Sequence, residues 1–472
     1  MNTKTTIDAD LCIIGAGSGG LSVAAGAAQL GRNVVLIEKG EMGGDCLNTG
    51  CVPSKALIAA SEHAHLMRHG SQFGIKATEP EVDFNAVMDH VHSVIATIAP
   101  VDSQERFEGF GCTVIREHAQ FTGERQVTAG DTVVNAKHFV IATGSTPFVP
   151  PINGLDTIDY FTNETLFDNR TLPEHLIVIG GGAIGLEMTQ SFRRLGSEVT
   201  VIEGMTISNR DDPELVEVVR TQLLEDGVHI VENALVSSVS KDGDKIVVTA
   251  GDKSIVGTHL LVAAGRKPSV DGMNLETAGI EYSRKGITVD KFMRTSNKRV
   301  YAIGDVAGGR QFTHVAGYHA GLLIRTILFK AKAANLEELA PAVTYTDPEL
   351  AHVGLTETVA RERFDDIDVR KWELDENDRA QSERDTRGFI KVMIRKNGLI
   401  VGAGIVGHNA GDLIQPFAYA IANKQKIKSF TNMISPYPTR GEIAKRVAGA
   451  FYTDALFSDR TRKLVSLLAT FD

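Results

Sequence analysis

The stretch DLCIIGAGSGGLSVAAGAAQLGRNVVLIE, residues 10–38, decides the fold. An apolar run leads into Gly15-x-Gly17-x-x-Gly20, a small-residue segment follows, and ValValLeuIle ends at Glu38. Strand, glycines, helix, strand and acid in that order make a βαβ dinucleotide-binding unit. The glycines let backbone approach a pyrophosphate, and the helix N-terminus offers free N–H groups and a positive dipole end. The closing carboxylate accepts hydrogen bonds from a ribose. The same unit returns in LIVIGGGAIGLEMTQSFRRLGSEVTVIE, residues 176–203, with Gly180, Gly182, Gly185 and Glu203 in the matching places. From first glycine to acid both copies span 23 positions, 38 − 15 and 203 − 180. A lone glycine triplet is weak evidence, whereas two complete units predict an α/β protein with two Rossmann-like domains.

The length, 472 residues, suits about three domains at roughly 150 each. A hydrophobic content of 43% with 46 glycines fits a large α/β chain with many tight turns. The net charge of −10 disfavours a nucleic-acid or anionic-membrane partner. The polar opening, Met1 to Asp10, leads straight into a strand and does not read as a signal peptide. No uncharged apolar run approaches the ~18 residues of a membrane span. Four cysteines in this length fit a reducing compartment, so the expected location is the cytoplasm.

Between the two units lies GGDCLNTGCVPSK, residues 43–55, with Cys46 and Cys51 four residues apart. The pair reads as a redox-active disulfide, a zinc half-site or two inert thiols. Zinc usually takes four ligands in close-spaced pairs, and the other cysteines, Cys12 and Cys112, have no neighbour at metal spacing. The redox-active reading is favoured, and no metal site is expected. Five residues of regular helix rise roughly 7.5 Å, beyond the ~7 Å a disulfide tolerates between Cα atoms. The segment from Cys46 to Cys51 is therefore not expected to be ideal helix, and Gly50 permits the distortion.

Val140 to Pro147 is a buried strand ending in a glycine turn at Thr143 and Gly144. Leu260 to Pro268 repeats that pattern, with Gly265 and Arg266 at the turn. Tyr301 to Asp305 is a third strand-turn, carrying Gly304 and Asp305. From about Pro341 the pattern changes. Phe389 to Ile394 and Gly398 to Val406 read as antiparallel strands, and Ala410 to Lys424 as a helix.

Together these residues resemble the flavin disulfide reductases, the class I pyridine nucleotide-disulfide oxidoreductases: dihydrolipoamide dehydrogenase, glutathione reductase and mercuric reductase. The resemblance spans essentially the whole chain, and its Cys-x4-Cys-x-Pro-x-Lys string is highly specific. It implies an FAD-binding domain (1–150), an NAD-binding domain (151–275), a central domain completing the FAD site (276–345) and an α+β dimerisation domain (346–472). It also implies a homodimer whose active site is shared between subunits. Cys46 takes the place of the thiol that meets substrate, and Cys51 that of the thiol beside the flavin. Lys55 matches the family lysine near the reactive flavin nitrogen, with Glu187 as its ion-pair partner. Asp305 matches the aspartate that bonds the flavin ribitol, Gly304 the turn admitting it, and Thr143 and Gly144 a turn lining the FAD site. Gly265 and Arg266 match the turn closing the NAD domain. Glu203 favours NAD over NADP, since a carboxylate repels a 2′-phosphate.

Asp45, the stretch Gln311 to Ala320 and the stretch Asn377 to Ala380 lean toward the mercuric-reductase-like branch. Mercuric reductases carry a vicinal C-terminal cysteine pair. This chain ends AlaThrPheAsp, and its opening is not expected to form an N-terminal metal-binding domain. Lipoamide and glutathione enzymes carry His-Pro-Thr-x-x-Glu, in which His is the general acid/base. Here the string is Tyr437-Pro438-Thr439-Arg440-Gly441-Glu442. A phenol with pKa near 10 is a poor base at neutral pH, so Tyr437 either donates a hydrogen bond, shapes the pocket or packs. His314, His319 and His408 read as structural. The expected activity is NAD(P)H-linked reduction, through FAD and Cys46–Cys51, of a disulfide substrate in the manner of a lipoamide dehydrogenase. The alternatives are a metal ion or quinone, or a non-catalytic flavoprotein that binds a partner.

Overall fold

The computed structural model describes residues 5–471. The first four residues of the polar opening, and Asp472 of the terminal AlaThrPheAsp, lie outside them. The stretch from Asp10 to Glu38 folds as its pattern dictates: strand Thr5–Ile14, helix Ser18–Gln29 and strand Val34–Ile37. Both strands are buried at their apolar ends because helices Ser18–Gln29 and Thr313–Leu328 cover one face and residues such as Phe121, Val127, Met273 and Leu275 the other, which is why they read as continuous Val/Ile/Leu runs. A sheet is built around them. Cys112–Ile115, Val34–Ile37, Thr5–Ile14 and Thr132–Ile141 lie side by side, all parallel. Antiparallel strands Gln126–Ala129 and Ala119–Gly123 continue it. Val300–Ala302 also pairs parallel to Thr132–Ile141, so a strand about 160 positions away delivers the Gly304–Asp305 turn to the mouth of the first unit.

The second unit is a four-stranded parallel sheet in the order His229–Val231, Glu198–Ile202, His175–Ile179, His259–Val262. A three-stranded antiparallel sheet, residues 236–257, flanks it. The two units meet through a short antiparallel ribbon, Ser145–Pro147 against Arg266–Pro268. The similar strand-turn segments of the two units thus pair with one another. The C-terminal part is a five-stranded antiparallel sheet in the order 342–344, 349–354, 400–407, 389–395, 367–373. Helices Gln415–Ala422 and Ile443–Leu456 pack into its apolar core. The helix expected over Ala410 to Lys424 is two pieces, Ala410–Leu413 and Gln415–Ala422. Their junction at Ile414 comes two residues before Pro416, which stands in the first turn of the second piece and has no N–H to bond back to the first. No helix among the described residues is long and apolar enough to cross a membrane.

Candidate active site

The two glycine cradles divide their labour. A Cβ on Gly20 would collide with the Gly15 carbonyl oxygen, and one on Gly185 with that of Gly180, so these glycines serve the close packing of helix on strand. Gly17 and Gly182 differ: a Cβ on Gly17 has no protein atom nearer than 4.0 Å, and one on Gly182 none within 4 Å. Both are N-caps of their helices, and neither helix has a side-chain cap there. Free N–H groups therefore open onto space a pyrophosphate fits. Glu38 accepts from Ala16 N–H at 2.6 Å and Gly40 N–H at 2.7 Å. Glu203 accepts from Gly181 N–H at 2.7 Å and Met205 N–H at 3.0 Å. Each carboxylate is thus held beside its own cradle, and the residues present fit two dinucleotides.

A single cavity of about 1110 Å³ joins both cradles and the cysteines. Its walls include Gly17, Glu38, Thr143, Gly144, Gly182, Gly265, Gly304 and Asp305 together with Cys46, Cys51, Lys55 and Glu187. Cys46 lies in the short helix Gly44–Asn48, and Cys51 is the first residue of the helix Cys51–Arg68. The break falls at Thr49 and Gly50 (φ −125°, ψ −112°). A Cβ on Gly50 would lie 2.8 Å from the Asp45 carbonyl oxygen, so the non-helical link needs a glycine.

Both cysteines are free thiols, Cys51 exposed to the cavity and Cys46 half-buried. They titrate as a pair. The Cys46 thiol donates toward Cys51, which pulls the Cys51 pKa down to about 6 and pushes that of Cys46 up. Burial opposes the first shift; the Thr313 hydroxyl, 3.4 Å from Cys51 Sγ, and the Lys55 ammonium favour it. Two helix N-termini also meet at this sulfur, since Thr313 opens the helix Thr313–Leu328.

Lys55 Nζ lies 2.8 Å from Glu187 Oε2 and 4.3 Å from the centroid of the Tyr345 ring. Glu187 is buried, and its other oxygen accepts from Tyr345 N–H at 3.0 Å. One carboxylate therefore fixes the lysine and the strand leading into the C-terminal part. Asp305 accepts from the Ser145 hydroxyl, and burial raises its pKa against that bond and the nearby Arg266 charge. Arg266 donates to Ser145 Oγ at 2.7 Å and pairs with Asp45 at 3.2 Å. It thus braces the first unit's side of the crevice as well as closing the second unit's turn. Thr143 donates to the Ser269 carbonyl at 2.8 Å. His319, fully buried, accepts from Gly304 N–H at Nδ1 (3.2 Å) and sets Nε2 2.9 Å from Glu337.

Tyr437 and Glu442 do not line this cavity. The Tyr437 hydroxyl donates to Asp378 at 2.8 Å, which raises the phenol pKa, and Glu442 pairs with Arg446 at 2.8 Å. Thr313, Ser145, Tyr345 and Asn163, whose amide donates to Asp45 at 2.9 Å and to the Thr49 carbonyl at 3.1 Å, are site residues that motif reading does not assign. Thr313 stands 262 positions from Cys51, and no spacing rule links them.

Two family models cover the chain: "Pyridine nucleotide-disulphide oxidoreductase" over residues 9–320 and its dimerisation domain over residues 340–448. The chain is 36% identical to the mercuric reductase of Streptomyces lividans over 457 residues, covering 94% of this chain and 96% of that one. It is 34% identical to the dihydrolipoyl dehydrogenase of Geobacillus stearothermophilus, with the same coverage. A Cu(II) complex of the HOCl-induced flavoprotein disulfide reductase RclA from Escherichia coli superimposes with TM-score 0.85 at 26% identity, covering 93% of this chain and 99% of that one. The cysteine pair over a cavity shared by two dinucleotide cradles has its explanation here: the chain is an enzyme of the pyridine nucleotide-disulphide oxidoreductase family.

Proposed function

We propose that this enzyme passes electrons from NADH to a thiophilic metal ion such as Hg(II) or Cu(II), with Cys46 as the group that meets the acceptor. Bound FAD supplies two-electron transfer between the nicotinamide and the cysteine pair. The Gly15–Gly20 cradle, Glu38, Thr143, Gly144, Gly304 and Asp305 hold FAD. The Gly180–Gly185 cradle, Glu203, Gly265 and Arg266 hold the nicotinamide nucleotide. Lys55, fixed by Glu187, keeps a positive charge beside Cys51 and favours its thiolate. Cys46 retains the shared proton, and on losing it becomes a soft ligand for a soft cation. A reducing cytoplasm is the compartment this chemistry needs.

The observation that carries the choice of acceptor is Tyr437. A phenol bound to Asp378, with its pKa raised, takes no thiol proton at neutral pH. Dithiol oxidation needs that base; capture of a metal ion does not. The mercuric reductases among the relatives support this reading. A second reading, exchange with a small disulfide, rests on the retained Pro438-Thr439-x-x-Glu442 and on the dihydrolipoyl dehydrogenase relative. In it the Cys46 thiolate attacks one substrate sulfur and releases the other half as a thiol, and Cys51 then attacks Cys46, releasing the second thiol and closing the Cys46–Cys51 disulfide.

The test is anaerobic NADH reduction of the FAD-loaded enzyme, followed by Hg(II), Cu(II), lipoamide, glutathione disulfide and quinones in turn. Turnover with lipoamide exceeding that with either metal would sink the metal reading. NADH is expected to exceed NADPH in kcat/KM, because Glu203 opposes a 2′-phosphate; the reverse order would sink the NAD assignment.

A further inference from the structure

The helix Asp459–Leu468 has no buried residue. Leu464, Leu467 and Leu468 share one face at i, i+3 and i+4, with Val465 beside them. Leu456 and Phe457 before the helix, and Phe471 after it at 80% exposure, are also open. An isolated helix of ten residues is marginal in water, because nucleation is costly and packing supplies most helical stability. Its own protomer buries none of its residues. The opposite face carries Asp459, Arg462 and Ser466 with Lys463 at its edge, and Arg460, at i−4 from Leu464, leads the apolar stripe, so the segment is amphipathic with its apolar side in the second half.

We infer that this apolar face docks on a second copy of the chain and extends the dimer interface past the dimerisation domain. The inference rests on continuity. The dimerisation model ends at residue 448, inside the helix Ile443–Leu456, and only Phe457 and Ser458 separate that helix from the next. The near end of Ile443–Leu456 is pinned by buried Ile443, Ala444, Val447 and Ala448, which fixes where the following helix emerges. The same module exposes Ile434 at 92%, with Tyr419 and Tyr437 also open. Open apolar side chains thus run from the dimerisation domain into the terminal helix. In a two-fold dimer each docked helix counts twice, once per protomer.

The test uses full-length, FAD-loaded enzyme carrying Leu464→Glu with Leu468→Glu, beside Leu464→Met with Leu468→Met. Both positions are exposed in the protomer, so its folding is preserved, and flavin content checks this. Dimer dissociation is read by sedimentation velocity over a dilution series, and protection of residues 459–468 by hydrogen exchange. The Glu pair is expected to weaken the dimer by ~10,000-fold, taking about tenfold for each of the four leucines that the two helices bury. The Met pair should dissociate as wild type does. Protection of the helix should vanish as wild type dissociates on dilution. A Glu pair that dimerises like wild type overturns the proposal. So does a helix protected in dissociated monomers, which would show it folding back on its own protomer. Sedimentation of wild type with anionic vesicles, lost in the Glu pair while dimerisation is unchanged, assigns the face to a lipid surface instead.

Discussion

Cys51 begins a helix of 18 residues, and Thr313, against its sulfur, begins one of 16. Those two N-termini, the Cys46 thiol and Lys55 all favour negative charge at one atom. Alkylation of the reduced enzyme by iodoacetamide is therefore expected to rise through a pH near about 6 at Cys51, while Cys46 titrates far later. The sign follows from the lowered pKa: the thiolate persists above that pH and is lost below it. Thr313→Val removes one hydrogen bond, worth ~0.5–1.5 kcal/mol. It should move the midpoint upward by roughly 0.4–1 pH unit. A midpoint that stays put excludes the hydroxyl as a stabiliser. His319 acts one step further away. Gly304 N–H occupies its Nδ1, so in the neutral ring the proton sits on Nε2, which stands 2.9 Å from Glu337 but out of hydrogen-bonding alignment with it. His319→Leu leaves a buried N–H unpaired at the turn that carries Asp305. FAD release, followed by flavin fluorescence, should become roughly tenfold or more easier. His319→Asn, which restores an acceptor near the Nδ1 position, should recover part of that loss. Equal losses in both variants would mean that packing, not the hydrogen bond, holds the turn.

Within each βαβ element the glycines separate folding from binding. Gly185→Ala places a methyl against the Gly180 carbonyl, whereas Gly182→Ala places one in open space. The first should lower thermal stability. The second should leave the melting temperature and the flavin content unchanged and raise the KM for NADH at least tenfold, because the methyl fills the pyrophosphate approach. A normal KM in Gly182→Ala would relocate the phosphate. These elements are legible in sequence because their information is local: apolar runs, glycine spacing and a closing acid within 23 positions. The Cys46–Cys51 link is legible for the same reason, since rise per residue alone excludes a regular helix there. The helix after it starts at Cys51, which puts the sulfur itself in the first turn. Thr313, Ser145, Asn163 and Tyr345 are not legible. Each reaches the site through a contact of 114 to 262 positions, or through a backbone N–H that carries no residue signature.

At the scale of the molecule, one protomer gathers both cradles, the cysteine pair, Lys55 and Glu187 around one cavity, whose walls also include His118 and His314. Tyr437 and Glu442 sit in the dimerisation region, outside the cavity that holds Cys46, with Tyr437 exposed. If the two-fold axis sets Tyr437 against Cys46 of the partner subunit, wild type should oxidise dihydrolipoamide poorly with NAD, since a phenol is a poor acceptor of a thiol proton near neutral pH. General-base catalysis is worth ~100-fold to 10,000-fold in good geometry. Tyr437→His supplies a group that titrates near the working pH, and it exchanges the phenol's bond to Asp378 for an imidazole beside a carboxylate. A carboxylate neighbour raises an imidazole pKa, so the recovered activity should rise with pH as that imidazole loses its proton. A gain of roughly tenfold is expected for a base grafted into an unselected alignment. The assay is kcat/KM for dihydrolipoamide across pH, for both proteins, with the dimer verified at each pH. Wild type matching an efficient lipoamide enzyme would show that Tyr437 is no deficit. A mutant that stays dimeric and gains nothing would place residue 437 away from the dithiol, and the two-fold arrangement assumed here would fail with it.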